Sequence, residues 1–224
     1  MKNKTLLALA AAAMASAAGA SPIAAITPLW TFNHNIETTL GRSAEIPVWD
    51  AASGTLWVVG GNGLDVLDLA GHRLQTYTTS AFGQVNSIAI AGATVALAFS
   101  NGLNTSAPGS VQFFDTPTFL TQGGTAAYLG GVNAGAVPDM LTWTAGGQRL
   151  LVANEGERQS DSNNPAGSVS LIDVQRNGAL TTTVTHATFS AFDGQEAALR
   201  ASGVRIQAGV AASVAFEPEY IAVA

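Results

Sequence analysis

Residues 138–173 read PDMLTWTAGGQRLLVANEGERQSDSNNPAGSVSLID, and the rest of the chain is built from variations on them. Met140 to Thr144 is a β-rich run, and Arg149 to Ala153 is a second. Between them, Ala145-Gly146-Gly147-Gln148 is a turn, because paired glycines supply positive φ without steric cost. A polar loop follows, and Gly167 to Asp173 is a third strand that closes on an aspartate. Strand, turn, strand, loop, strand is an antiparallel meander. Such a unit cannot hide its apolar faces alone and needs neighbouring copies.

Those copies are present upstream. In the first, strands at 45–49, 55–59 and 64–68 are separated by an Asp-Ala-Ala-Ser-Gly turn and by Gly60-Gly61-Asn62-Gly63, with a fourth strand at 73–77. Leu64 and Val66 alternate with Asp65 in the period-2 pattern of a half-buried strand. In the second copy, strands at 85–90 and 94–99 flank Ala91-Gly92-Ala93, and a polar loop leads to a third at 109–115. A fourth strand of the opening stretch is expected at 180–184. Three third strands close alike: LDVLD at 64–68, GSVQFFD at 109–115 and GSVSLID at 167–173. The closing aspartates lie 47 and 58 residues apart, in the range of propeller blades. Pro218 to Val223 repeats the start at Pro138. The expected architecture is therefore all-β, a partial β-propeller of about three blades plus the first strand of a fourth. Its blades fall at about 44–80, 85–122 and 137–190, with a further start at 217–224, as an N-terminal fragment of a longer ring. A small sandwich closing at Ala224 is the competing fold.

The chain has 224 residues, 47% of them hydrophobic and 11% charged, with 24 glycines. That composition suits a packed core and excludes a disordered chain. Residues 1–20 read as a signal peptide: Lys2 and Lys4, an apolar run from Leu6 to Ala18, and a small-x-small site ending at Ala20, where cleavage is expected. The apolar run is short for a membrane span. Residues 21–43 are a lead-in, and 44–224 the incomplete propeller domain. The expected location is the periplasm, the cell surface or outside the cell, with no membrane insertion once the signal is removed. Lys2 and Lys4 are the only lysines, so the mature chain sets seven arginines against fifteen Asp and Glu, a net charge of −8. An acidic, lysine-free surface argues against nucleic acid as a partner. With 0 cysteines there is no disulfide framework, thiolate chemistry or cysteine zinc site.

VPDMLTWTAGGQRLLVANEGE, GSVSLIDV, ASGVRI and EPEYIAVA together resemble the choice-of-anchor I family of secreted bacterial β-propellers, over about Ala44 to Ala224. Its most specific part is Asn154-Glu155-Gly156-Glu157. Relatives include alkaline-phosphatase-like and mesenchyme-specific cell-surface-glycoprotein-like proteins. The resemblance implies a seven-blade-like propeller of the YVTN type, exported and often held at the surface by a C-terminal anchor. The chain departs from the family by stopping before the later blades and any sorting signal. No reaction transfers with the resemblance.

The chemistry-bearing residues are chiefly acidic. Asp139, Glu155, Glu157 and Asp161 fall within one repeat, and Glu217 and Glu219 open the next. Glu45, Asn86, Asp139 and Glu219 hold equivalent positions at the starts of first strands, where a propeller would gather them at one mouth. Crowded carboxylates repel one another, and a hard oxygen-seeking cation such as Ca²⁺ relieves this. The metal-ligand expectation is Asp139, Glu155, Glu157 and Glu219. The competing reading pairs these groups with backbone N–H groups, Arg149 and Arg158. Asp161 to Gly167 lacks the sixth-position glycine and distal glutamate of an EF-hand and reads as a turn-rich loop. Gly60 to Gly63 is a hairpin turn, since no phosphate-binding Lys-Ser/Thr follows it. His34, His72 and His186 are scattered and read as surface or turn residues, and no Gly-x-Ser-x-Gly elbow exists. Trp49, Trp57, Phe113, Phe114 and Trp143 fall on strands and read as core. No nucleophile is set beside a base. The leading expectation is a binding or surface-interaction module for an extracellular or periplasmic ligand or protein. The alternative is a Ca²⁺-dependent, phytase-like phosphoesterase.

Overall fold

The computed structural model describes residues 27–34, 43–102 and 104–223. The signal segment with its Ala20 site, and residues 21–26 and 35–42 of the lead-in, lie outside the described residues. Thr27 to Thr31 belong to one unit, Met1–Thr31, and have no regular secondary structure; all else belongs to a second, Phe32–Ala224.

The second unit carries three four-stranded antiparallel sheets, each a meander in chain order. The first holds β1 (Ile46–Asp50), β2 (Thr55–Gly60), β3 (Gly63–Leu67) and β4 (Arg73–Thr78). The second holds β5 (Gln84–Ala91), β6 (Thr94–Ser100), β7 (Pro108–Asp115) and β8 (Tyr128–Ala136). The third holds β9 (Pro138–Trp143), β10 (Arg149–Asn154), β11 (Ser168–Asn177) and β12 (Ala179–Thr188). Their tight turns use the expected glycines: Gly61 at φ 57° between β2 and β3, and Gly147 at φ 64° between β9 and β10.

Why the sheets stack is written along β6. Val95, Leu97 and Phe99 point to one face, where with Phe114 they meet Trp57, Val59, Leu64 and Val66 of the first sheet. Ala96 and Ala98 point to the other, where with Val111 and Phe113 they meet Leu141, Leu150, Val152 and Ile172 of the third. Every residue of β6 is buried, so the middle sheet is covered on both faces. Each large side chain sealed this way contributes about 1.5–3 kcal/mol. The first strands lie together, β5 against both β1 and β9. Serial four-stranded meanders, face to face with first strands adjacent, form an open, partial β-propeller.

The second blade runs past the expected end at 122. Asp115 caps a helix, α1 (Thr116–Gln122), by accepting from the Thr118 N–H, with proline in the first turn. Then come α2 (Gly124–Ala127) and β8. Phe119 of α1 plugs the first core, its ring 4.9 Å from that of Trp57. After β12 the chain forms a 3-10 turn (Ser190–Phe192), α3 (Glu196–Ala201) and α4 (Ala212–Ala215). Phe216 stacks edge-on against Phe189 and Phe192, and Asp193 accepts from the Ser213 N–H, tying this segment together. Residues 218–223 form no strand. They do repeat the blade junction: Pro218 lies over Gly167 at the head of β11 as Pro138 lies over Gly109 in β7.

Three expectations are corrected. Asp65 is fully buried instead of facing outward. His34, expected at the surface, is 6% exposed, with its Nδ1 2.5 Å from Asp65 Oδ2. Trp49, expected in the core, is 45% exposed. The first two share a cause. His34 lies against Asp65 on the outer face of the first sheet, so this charge-bearing position is sealed rather than solvated.

Candidate functional site

First strands begin, second strands end and third strands begin at one end of the sheets, so the loops after β2, β4, β6, β8 and β10 gather there. They are cross-linked. Asn163 of the β10–β11 loop donates to Thr105 Oγ1 at 3.1 Å, and Ser106 bonds its carbonyl oxygen. Asn86 of β5 donates to the Pro138 carbonyl at 2.9 Å and to Ser100 Oγ at 2.6 Å.

The acidic residues meet at this end. Burial pushes the Asp139 carboxyl above its ordinary range, and the charges of Glu219, Glu45 and Glu157 add to the shift. Burial also raises Glu155, to about 7, reinforced by Asp139, Glu157, Glu219 and Glu217. Four sequence-separated segments therefore contribute to one repulsive field, as equivalence between first strands implied. The suggested partners serve only part of this cluster, Arg158 reaching Asp161 and Glu217 but not Asp139 or Glu155. Arg149 donates to both oxygens of Asp173, at 2.6 and 3.1 Å. Arg158 pairs with Asp161, and only its backbone N–H reaches Glu217. Glu157 accepts from Gln159 Nε2 at 2.7 Å, and no hydrogen bond reaches the carboxylates of Asp139 or Glu155 among the described residues. Nor, among those residues, are three or more His, Asp or Glu side chains gathered closely enough to hold a metal ion. What the fold builds is a half-buried acidic mouth in which like charges raise one another. Beside it Arg158, Arg205 and Glu217 line a cleft of about 350 Å³. Asp161 lies in a loop closed by a Ser160–Asn163 bridge, the turn-rich form expected.

The imidazoles separate by role. His72 Nδ1 sits 3.0 Å from Asp68 at the surface, and His186 lies 3.0 Å from Ser170 Oγ on β12. The buried His34–Asp65 pair, with Arg73 Nη1 4.0 Å from Asp65, escaped sequence reasoning. No spacing motif joins residues 31 positions apart, and only the lone charge on the otherwise apolar β3 hinted at it.

The choice-of-anchor I domain model matches residues 45–224. The chain belongs to the choice-of-anchor I family. No curated protein matches it. Among solved structures, a chain of a mitotic checkpoint complex is similar at 15% identity over 65% of this chain, with a TM-score of 0.45. A eukaryotic initiation factor is similar at 17% identity over 66%, with a TM-score of 0.42. A functionally unknown protein from Desulfotomaculum acetoxidans DSM 771 is similar at 9% identity over 66%, with a TM-score of 0.47. This choice-of-anchor I chain covers 39%, 34% and 42% of those three chains. No described helix is long and apolar enough to cross a membrane.

Proposed function

We propose that this choice-of-anchor I chain is an exported binding module that engages its ligand at the loop end of the blades. One observation carries the reading: the carboxylates of Asp139 and Glu155 are crowded by like charges, with no arginine among the described residues paired to them. Such crowding costs stability, and sites that tolerate it are disproportionately functional. A hard cation such as Ca²⁺, or a cationic group on a ligand, relieves it. Lys2 and Lys4, the apolar run from Leu6 to Ala18 and the small-x-small site ending at Ala20 support export. A phosphoesterase would also need converging cations to hold the phosphate, and the seven arginines are dispersed along the sequence, which favours the binding reading.

Thermal melts at pH 7.5 with and without millimolar CaCl2, alongside a p-nitrophenyl phosphate assay, test this. The expected result is a calcium-induced rise in Tm that Asp139→Asn and Glu155→Gln abolish, with no phosphate release. Calcium-dependent phosphate release that Glu155→Gln abolishes would replace the module with an enzyme.

A further inference from the structure

A second feature of the loop end does not involve the acidic mouth. A cavity of about 810 Å³ opens between the first and second sheets, walled by the β2–β3 turn, residues 80–84, the end of β6 with the start of the β6–β7 loop, the head of β7 and Asn133 of β8. Its size is that of a small-ligand site. Its lining is unusual for so acidic a chain: among the described residues, no Asp, Glu, Arg or His lines it. In their place stand five side-chain amides, Asn62, Gln84, Asn101, Gln112 and Asn133, with serine hydroxyls and the ring of Phe82.

Each part is held in place. Phe82 is wedged among aromatic neighbours, its centroid 5.5 Å from Phe99, 5.5 Å from Tyr128 and 6.2 Å from Phe114. It remains partly exposed, a fixed apolar plate at the cavity wall. Gln112, 8% exposed, donates from Nε2 to Ser110 Oγ at 2.9 Å and accepts at Oε1 from the Tyr128 hydroxyl at 2.9 Å. That fixes which way its amide points, and a carboxamide has a second N–H and a second lone pair beyond those two bonds. Gly131 makes room for it, since a Cβ there would fall on the Gln112 amide. Asn62, Gln84 and Asn133 present exposed amides around the opening.

We infer that this cavity is a binding site for a neutral saccharide. A sugar hydroxyl is at once donor and acceptor, as is a carboxamide, so an amide-rich wall satisfies hydroxyls in either sense. A sugar ring also carries an apolar C–H face, which a fixed aromatic plate covers. A charged ligand would leave its charge unpaired against these neutral walls, which is costly away from water. The inference names a ligand class for the binding role proposed above and rests on that role, while using residues separate from the carboxylates.

The test is retention of the purified chain on immobilised neutral oligosaccharides (gluco-, manno- and chito-oligosaccharides), against acidic ones, with titration calorimetry on any hit. Retention on a neutral saccharide is expected, at least ten-fold weaker in the Asn62→Ala/Asn133→Ala double variant, whose exposed positions leave Tm unchanged. Phe82→Ala is expected to lose binding, and Phe82→Tyr to restore it. Retention on acidic saccharides alone, or binding indifferent to the double variant, overturns the assignment. A chain that holds no saccharide yet keeps its Asp139- and Glu155-dependent calcium response also overturns it, and leaves the broader binding role standing.

Discussion

Asp68 directly follows β3 and Asp115 ends β7, while Asp173 lies inside β11, which runs on to Asn177, and all three aspartates are engaged. The backbone N–H of His72, helped by its side chain and Ala70, draws Asp68 below its ordinary range. At Asp115 burial works in the opposite sense, but Thr118 and Arg176 outweigh it and the carboxyl stays low. The Arg149 guanidinium lowers Asp173. At the other end of the same sheets, burial and mutual repulsion raise Asp139 and Glu155. One fold thus makes carboxylates into fasteners at one end and leaves them crowded at the other. The partners make the difference. Arg176 donates to the Ala93 carbonyl at 2.8 Å as well as pairing with Asp115, stitching the third blade to the second. At the loop end, among the described residues, no arginine pairs with Asp139 or Glu155.

Breaking a fastener gives the largest expected effect. Asp115→Ala removes a helix cap and the carboxylate partner of Arg176, each costing about 1 kcal/mol. The sum of about 2 kcal/mol lowers Tm by several degrees in a chain of this size, readable by calorimetry. Relieving the crowded end has the opposite sign. Glu155→Gln is expected to stabilise the protein at pH 8 by about 1–2 kcal/mol, allowing for solvent screening of a half-buried carboxylate. A destabilised Gln variant at pH 8 would show that the mouth is not under repulsion.

The two ends also divide the pH profile. Asp68, Asp115 and Asp173 have folded values below their ordinary 3.8, so their stabilisation is complete above that pH and is lost as pH falls through the folded values. Glu155 rises from 4.5 to about 7, so the folded state binds the extra proton and stability falls as pH climbs between those values. Tm is therefore expected to peak in the weakly acidic range and decline towards pH 8, the alkaline decline flattening in Glu155→Gln. The smallest effect is expected from Arg149→Met. Both partners of its pair with Asp173 are about half exposed, and Tm should stay within the scatter of the measurement.

Much of this was legible because it is local. Alternating apolar residues, glycine-paired turns and the GSV-x-x-x-D closure place most of the strands and their order, and repeat equivalence places Asp139 and Glu219 at one mouth. The α1 signal was there too: Asp115 before Thr116-Pro117 is a cap followed by a first-turn proline. β8 was not legible. Gly130, Gly131 and Gly135 interrupt its pattern, and the reason for Gly131 is the Gln112 amide lying against it from the neighbouring strand.

The sequence alone determined that short antiparallel units recur and must stack, because alternation exposes an apolar face that a single meander cannot cover. Tertiary structure alone decided which polar groups find partners. It seals Asp65 against His34, gives Asp115 an arginine 61 residues away, and leaves Asp139 and Glu155 among like charges. The physical reason is range: strand pattern depends on neighbours two residues apart, whereas burial and Coulomb interaction depend on distances that only the packed blades create.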